Sequence, residues 1–299
     1  MMRIAYLGPE ATVSHEAAAW FFSGCDCELI PYRWISDVCD ATASGRTDLS
    51  VIPIENTIDG SVNPHLDYWL EQDDLPIQAE WTYPSVQNLI GLPGGEGEDA
   101  LSRIRRVVSI PVAIAQCQKF LKRHLPDVEF IHVSSTAEGV RLVSEKRDPA
   151  YAAIGTETAA GKYGLHLLAR NITDHGNNLT RFIAVGKKKP KGLPPTDRIK
   201  TTMLVTLPED YPGALHQLLS AFAWRRINLS KLESRPTKIK LGSYYFYIDV
   251  EASLESMLLR FAIQEIEAIG CHVRLLGSYP SYPYHDSRQT PETKNTADG

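Results

Sequence analysis

Leu49-Ser50-Val51-Ile52-Pro53-Ile54 is a short apolar run that ends in Glu55-Asn56-Thr57, then meets Asp59-Gly60-Ser61 and a helical pattern over 62–70. A run this short, closed by polar and turn-forming residues, reads as a buried strand that delivers its carboxyl end to a loop and a helix start. The same unit recurs on both sides of it. Residues 4–7 lead through Gly8-Pro9-Glu10-Ala11-Thr12 into a helix over 13–22. Residues 107–109 lead to Pro111 and a helix to about Arg123, 130–133 to Ser134-Ser135-Thr136 and a helix to about Lys146, and 152–155 to Thr156 and a further helix. Alternation of this kind predicts an open α/β sheet. Thr12, Ser61 and Thr156 are candidate N-caps, Pro111 suits a first helical position, and Ser135 with Glu138 forms a capping-box pattern. In such sheets ligands sit beyond the carboxyl ends of the strands, where helix N-termini offer free N–H groups suited to a small anion. Neither a Walker motif nor G-x-G-x-x-G is present, so a nucleotide is not expected.

The length of 299 residues predicts about two domains. Hydrophobic residues at 43% and charged residues at 22% describe an ordinary globular chain, and a net charge of −5 argues against general nucleic-acid binding. No apolar run approaches a membrane span, and residues 1–8 read as a first strand rather than a signal peptide. The five scattered cysteines read as reduced thiols of a cytoplasmic protein, and neither they nor the nine histidines show a metal-ligand spacing, so no cofactor or metal is expected. Residues 187–199, rich in Lys, Pro and Gly, read as a linker between two units that fold alone. Residues 200–285 then follow a βαββαβ order: strands over 201–207, 229–235, 244–250 and 271–276, helices over 214–224 and 254–269, and a turn at Gly242. Residues 286–299 are polar and read as a disordered tail.

Taken together, these motifs resemble the monofunctional bacterial prephenate dehydratases with a C-terminal ACT regulatory domain. The resemblance is carried by Tyr6-Leu7-Gly8-Pro9-Glu10-Ala11-Thr12-Val13-Ser14, Pro53-Ile54-Glu55-Asn56-Thr57-Ile58-Asp59-Gly60-Ser61-Val62-Asn63, Ala115-Gln116-Cys117, Ser134-Ser135-Thr136-Ala137-Glu138 and Asn177-Asn178-Leu179-Thr180-Arg181-Phe182. Pro212-Gly213-Ala214-Leu215 and Glu233-Ser234-Arg235-Pro236 carry it in the second domain. Two departures stand out: Ala11 and Val13 where the family usually has Gly-Thr-Phe-Ser, and Ile110 where it often has His. The resemblance implies a catalytic domain over 1–186 made of two α/β lobes, like a type 2 periplasmic-binding fold, with the site in the cleft. It implies conversion of prephenate to phenylpyruvate, carbon dioxide and water in phenylalanine biosynthesis, without cofactor, and feedback by phenylalanine.

The reaction fixes what such a site supplies. It must hold a dianion, donate a proton or hydrogen bond toward the leaving hydroxyl, and keep the departing carboxylate poorly solvated. The resemblance makes Thr180 the donor and places Asn56, Glu55, Ser109 and Gln116 in the catalytic group. Asn56 is expected to donate to the substrate, and Glu55 to be protonated, paired or turned away, as a general acid or a support for the loop, because an ionised carboxylate repels a dianion. Thr12, Ser14, Ser134, Ser135, Thr136, Arg181 and Phe182 are the expected substrate contacts. On an extended strand Thr180 and Arg181 face opposite ways, so Arg181 divides between a substrate contact and a structural ion pair. Resemblance to ACT domains implies a phenylalanine site at an interface between two copies, using Gly213, Ala214, Leu215, Asn228, Leu229, Glu233, Ser234, Arg235 and Pro236, in a homodimer or homotetramer. Two alternatives stand beside this reading: an arogenate dehydratase, and a non-catalytic solute sensor on the same fold.

Overall fold

The protein is described here by a computed structural model, covering residues 1–72, 74–93, 98–209, 211–238 and 244–284. The expected turn at Gly242 and the expected tail at 286–299 lie outside the described residues. The first lobe runs through β1 (Met2–Leu7), α1 (Val13–Phe21), β2 (Cys27–Tyr32), α2 (Ile35–Ala43), β3 (Leu49–Asn56), the short β4 (Gly60–Ser61), α3 (Asn63–Leu70) and β5 (Ile77–Pro84). The chain crosses into a second lobe of β6 (Asn88–Gly91), α4 (Glu98–Ser102), β7 (Arg106–Ser109), α5 (Pro111–Ala115), α6 (Gln118–His124), β8 (Glu129–His132), α7 (Thr136–Lys146), β9 (Tyr151–Gly155), α8 (Glu157–Lys162) and β10 (His166–Ala169). It returns as β11 (Leu179–Val185), which lies antiparallel between β3 and β5. Two crossings between two lobes give the plan that the resemblance implied. The second lobe has its own sheet, in the order β10-β6-β9-β7-β8.

The helix expected from Pro111 to about Arg123 is broken at Cys117 (φ −119°, ψ 17°). Asp174 causes the break. Its N–H takes the Gln116 carbonyl at 2.7 Å, and its carboxylate accepts from Lys119 N–H at 2.9 Å, so one residue ends α5 and caps α6. The caps at Thr12, Ser135 and Thr156 form as the sequence predicts, each side chain accepting from a backbone N–H three residues on.

The C-terminal domain comprises β12 (Ile199–Thr206), α9 (Ala214–Ala223), β13 (Leu229–Pro236), β14 (Tyr244–Val250), α10 (Met257–Ala268) and β15 (His272–Tyr282). Its antiparallel order is β13-β14-β12-β15, and both helices pack on one face around Leu218, Phe222, Leu259 and Ile266. The last strand departs from expectation. It continues to Tyr282, and its register against β12 shifts between Thr202 and Met203, opposite 275–277. Gly277 there has φ +151°, and a Cβ on it would stand 2.6 Å from the Ile77 carbonyl oxygen, so only glycine lets β15 approach β5. Beyond it Ser281 and Tyr282 pair in parallel with Glu80 and Trp81, making the first-lobe and C-terminal sheets continuous.

The two sheets also share a core. Ile52, Ile54, Trp69 and Ile183 of the first lobe pack in one buried cluster with Leu204, Tyr247, Leu276 and Tyr279 of the C-terminal domain. The two units expected to fold alone thus share a core in the folded chain. The basic, Pro-rich stretch connects them in sequence, but each covers apolar surface of the other.

Candidate active site

The lobes enclose a cleft of about 720 Å³. Thr12, Ser14, Asn56, Thr180 and Phe182 line it from the first lobe, and Gln116, Ser134, Ser135 and Thr136 from the second. Strand geometry explains the first set. On β11, Thr180 and Phe182 face the cleft and Arg181 faces away, as period two requires. On β3 the pairing runs Asn56–Thr180, Glu55–Arg181, then Pro53–Phe182. One extra residue on β3 makes a bulge there, so Pro53 and Asn56, three apart, both face the cleft. Proline at the bulge gives up no ladder hydrogen bond.

A chain of side-chain amides runs through the buried end of the cleft. Asn56 Nδ2 donates to Asn178 Oδ1 at 2.7 Å and to Thr180 Oγ1 at 3.0 Å. Asn178 Nδ2 donates to Gln116 Oε1 at 3.0 Å, and Gln116 Nε2 donates across the lobes to Asp59 Oδ2 at 2.5 Å. Asn56 Oδ1 accepts from the Ile58 and Asp59 N–H groups at 2.9 and 3.3 Å, which fixes the amide's orientation. Both N–H bonds of Asn56, expected to donate to a ligand, are directed here at Asn178 and Thr180. Because the Asn56 Nδ2 group can only donate, Thr180 Oγ1 accepts from it, and the threonine O–H is left to donate elsewhere in the cleft.

Two residues read as contacts, Ser109 and Arg181, lie elsewhere, and Glu55 is paired outside the cleft. Ser109 is fully buried, its hydroxyl donating to the Ile154 carbonyl at 2.9 Å. Arg181 is a structural ion, not a cleft residue. Its guanidinium meets Glu80, Asp249 at 2.5 Å and Glu55 at 3.3 Å, on the side of the C-terminal domain. Burial opposes the charge on Arg181, but Asp249 and Glu80 outweigh it and hold the guanidinium ionised. Burial likewise acts against Glu80, yet Arg181 and Lys200 hold its carboxyl below the usual range. Glu55 is turned out of the cleft toward Arg181 and Lys231. The Ser134–Thr136 corner is also partly filled. Ser134 donates both its N–H, at 3.0 Å, and its hydroxyl to the Glu138 carboxylate, which those bonds hold below its ordinary value. The reciprocal half of the capping box thus lands one residue early, on Ser134 instead of Ser135.

Sequence reasoning missed Asn178, Asp59, Gln87 and Arg33 as members of the site. Asn178 and Asp59 stood within the quoted motifs; no local pattern marked Gln87, which lines the cleft with a buried, unpartnered Oε1, nor Arg33 at the end of β2.

The C-terminal domain touches the same loop. On β13, Lys231 donates to Glu55 at 2.8 Å and Ser61 Oγ at 2.7 Å, while Ser61 Oγ donates to Glu233 at 2.6 Å. Arg235, buried, donates to Asn63 Oδ1 at 2.8 Å and Glu233 at 2.6 Å and pairs with Asp67. Ser61 and Asn63 also line the cleft. Glu233 and Arg235, expected at an effector site, are therefore engaged with the first lobe, whereas Ser234 and Pro236 on the alternate face are exposed. Gly213 caps α9 at φ +98° with open space where a Cβ would stand. Ala214 is buried, Leu215 and Leu229 pack against the domain core, and the Asn228 amide donates to Glu251 at 2.7 Å.

Comparison with known proteins agrees with this construction. A family model described as prephenate dehydratase matches residues 4–190. The prephenate dehydratase of Bacillus subtilis is 41% identical over 286 residues, spanning 94% of this chain and 99% of that protein. The crystal structure of prephenate dehydratase from Arthrobacter aurescens in complex with L-Phe superposes with a TM-score of 0.81 at 34% identity, covering 93% and 89% of the two chains. A protein described as a novel type of quorum-quenching acylase superposes with a TM-score of 0.79 at 28% identity, covering 93% and 98%. The family match spans the whole of the two-lobe unit that carries the amide chain and Thr180, and the chain belongs to the prephenate dehydratase family.

Proposed function

We propose that the protein converts prephenate to phenylpyruvate, carbon dioxide and water, with phenylalanine as its feedback effector. The observation that carries this reading is the 3.0 Å bond from Asn56 Nδ2 to Thr180 Oγ1, which aims the threonine hydroxyl as a donor into the cleft. In the reaction the ring carboxylate leaves as carbon dioxide, and its bonding pair moves through the diene into the new aromatic ring. The opposite C–O bond breaks with its electron pair, and the leaving hydroxide takes up a proton to become water. Aromaticity supplies the drive, so the site needs chiefly a donor to the leaving oxygen. Threonine is too weak an acid to give up its proton outright, so Thr180 stabilises the developing charge, and the proton that the leaving hydroxide takes up comes from solvent, directly or relayed through the Thr180 hydroxyl. A hydrolytic reading is less well supported: among the described residues Thr180 has an amide donor against its oxygen, where a nucleophile needs a base.

The C-terminal domain reads as an ACT-like regulatory unit over 200–285, joined to a catalytic unit over 1–186 by residues 187–199. The positive φ of Gly213 and the free outer face of Ser234 and Pro236 support an effector site beside a second copy of the chain. Exposed Trp224, Met257, Leu258 and Phe261 support self-association as a homodimer or homotetramer. Among the described residues no helix is long and apolar enough to cross a membrane. Incubation of the purified chain with prephenate should form phenylpyruvate, faster than with arogenate, and phenylalanine should slow it and raise the melting temperature. Tight prephenate binding without turnover would return the reading to a sensor.

A further inference from the structure

We propose that Arg33 binds the side-chain carboxylate of the substrate, the one that survives the reaction. The assignment rests on the dehydratase reading above and goes beyond it by naming the cation that the dianion requires. Among the described residues, the charged or titratable side chains that line the cleft are Arg33, Asp59 and His65. Asp59 is an acid already bonded to Gln116 at 2.5 Å. The His65 ring is pushed below its ordinary pKa by burial, and its Nδ1 lies 2.9 Å from the Pro53 carbonyl oxygen, so it brings no charge. Arg33 remains, permanently charged and shaped to grip a carboxylate with two parallel N–H groups.

Its placement suits that use. Arg33 directly follows β2, at the carboxyl end of a parallel strand, where ligands of open α/β sheets bind. The corner is held by the bond from Gly8 N–H to the Tyr32 carbonyl at 2.8 Å, and the guanidinium lies 5.2 Å from the centre of the Trp34 ring, which also lines the cleft. Among the described residues no carboxylate forms an ion pair with Arg33, whose charge only helps to hold the nearby Glu138 carboxyl low, in contrast to Arg181, Arg235 and Lys231, which the fold spends on partners.

The chemistry decides which substrate carboxylate it takes. A cation on the ring carboxylate would stabilise the reactant more than the transition state, where that charge has moved toward the ring and leaving oxygen. The side-chain carboxylate keeps its charge from substrate to product, so a cation there binds both states equally and lowers KM without slowing the chemistry.

The test is steady-state kinetics on the full chain, with product inhibition by phenylpyruvate. Arg33→Gln should raise KM by about 10–100-fold, the loss of one charge-assisted contact, with kcat held within about 3-fold. The inhibition constant of phenylpyruvate, which retains only the side-chain carboxylate, should rise by the same factor, and Arg33→Lys should recover part of both. Arg33 is exposed, so the variants should melt as the parent does. An unchanged KM overturns the proposal, and so does a raised KM with unchanged phenylpyruvate inhibition, which would put Arg33 on the ring carboxylate. Phenylpyruvate binding by calorimetry gives the same comparison without turnover. If the parent chain turns over no prephenate, the dehydratase reading fails, and an equal phenylpyruvate affinity of parent and Arg33→Gln then overturns the Arg33 assignment separately.

Discussion

Replacing Thr180 by alanine removes the hydroxyl that Asn56 orients, and kcat should fall about 10²–10⁴-fold with little change in prephenate binding; serine, which keeps the hydroxyl, should retain much more activity. Arg181→Met should do the reverse. It leaves Asp249 buried without its cation and Glu80 with Lys200 alone, so it should cost about 3–5 kcal/mol of stability in chemical denaturation, while whatever folds still turns over. A near-parent kcat in Thr180→Ala would remove Thr180 from the mechanism. The division between these two neighbours was legible in the sequence, because alternation along a strand sends consecutive side chains to opposite faces. What strand periodicity could not show was how Asn56 spends its two N–H bonds. That depends on Asn178, more than a hundred residues away, and on two backbone N–H groups just beyond β3. Arg33 escaped for a related reason: one arginine after a strand carries no pattern until the fold closes the cleft around it.

At the scale of elements, β13 is the strand to perturb. Its inward residues hold Ser61 and Asn63, which also line the cleft, so those bonds tie the strand to the cleft wall. Burial acts to raise the Glu233 pKa, but the Ser61 hydroxyl and Lys231 outweigh it and hold the carboxyl low, so it meets Ser61 ionised at neutral pH. Glu233→Gln should leave phenylalanine affinity in calorimetry within about 3-fold of the parent while its inhibition weakens about 5–50-fold, the size of a typical coupling energy. Affinity lost in step with inhibition would instead make Glu233 an effector contact. The strand and its charged end were readable from sequence. Its partners were not, since Glu233-Ser234-Arg235-Pro236 looks locally like a strand running out into a loop. β5 was not read either, although its Ile77–Pro84 segment is the seam of the molecule. Its sequence, Ile77-Gln78-Ala79-Glu80-Trp81-Thr82, mixes a buried Glu80 into an apolar strand, and the Arg181 and Lys200 cations that make this tolerable come from β11 and β12.

For the whole molecule, the shared cluster of Ile52, Trp69, Leu204, Tyr247 and Tyr279 sets the expectation for a chain cut near Lys189. Such a fragment would expose the apolar face that the C-terminal sheet covers and strand Arg181 without Asp249. It should be recovered aggregated, or melt well below the parent, with dehydratase activity lost in proportion; a soluble fragment with full turnover would contradict the shared core. Composition could place the boundary near 187–199 but could not reveal the core across it, because that core is assembled from residues up to about 240 positions apart. The β15–β5 seam has one more consequence, which concerns synthesis. Ser281 Oγ donates to Glu80 at 2.6 Å across 201 residues, so the strand that completes the edge of the first-lobe sheet leaves the ribosome long after the strand it joins. While the chain is being made, β5 carries an open edge and a carboxylate still lacking the serine donor that its finished setting supplies. A nascent chain that cannot finish its first sheet until β15 emerges is one for which holdase chaperones matter most before that strand is made and least once it has paired.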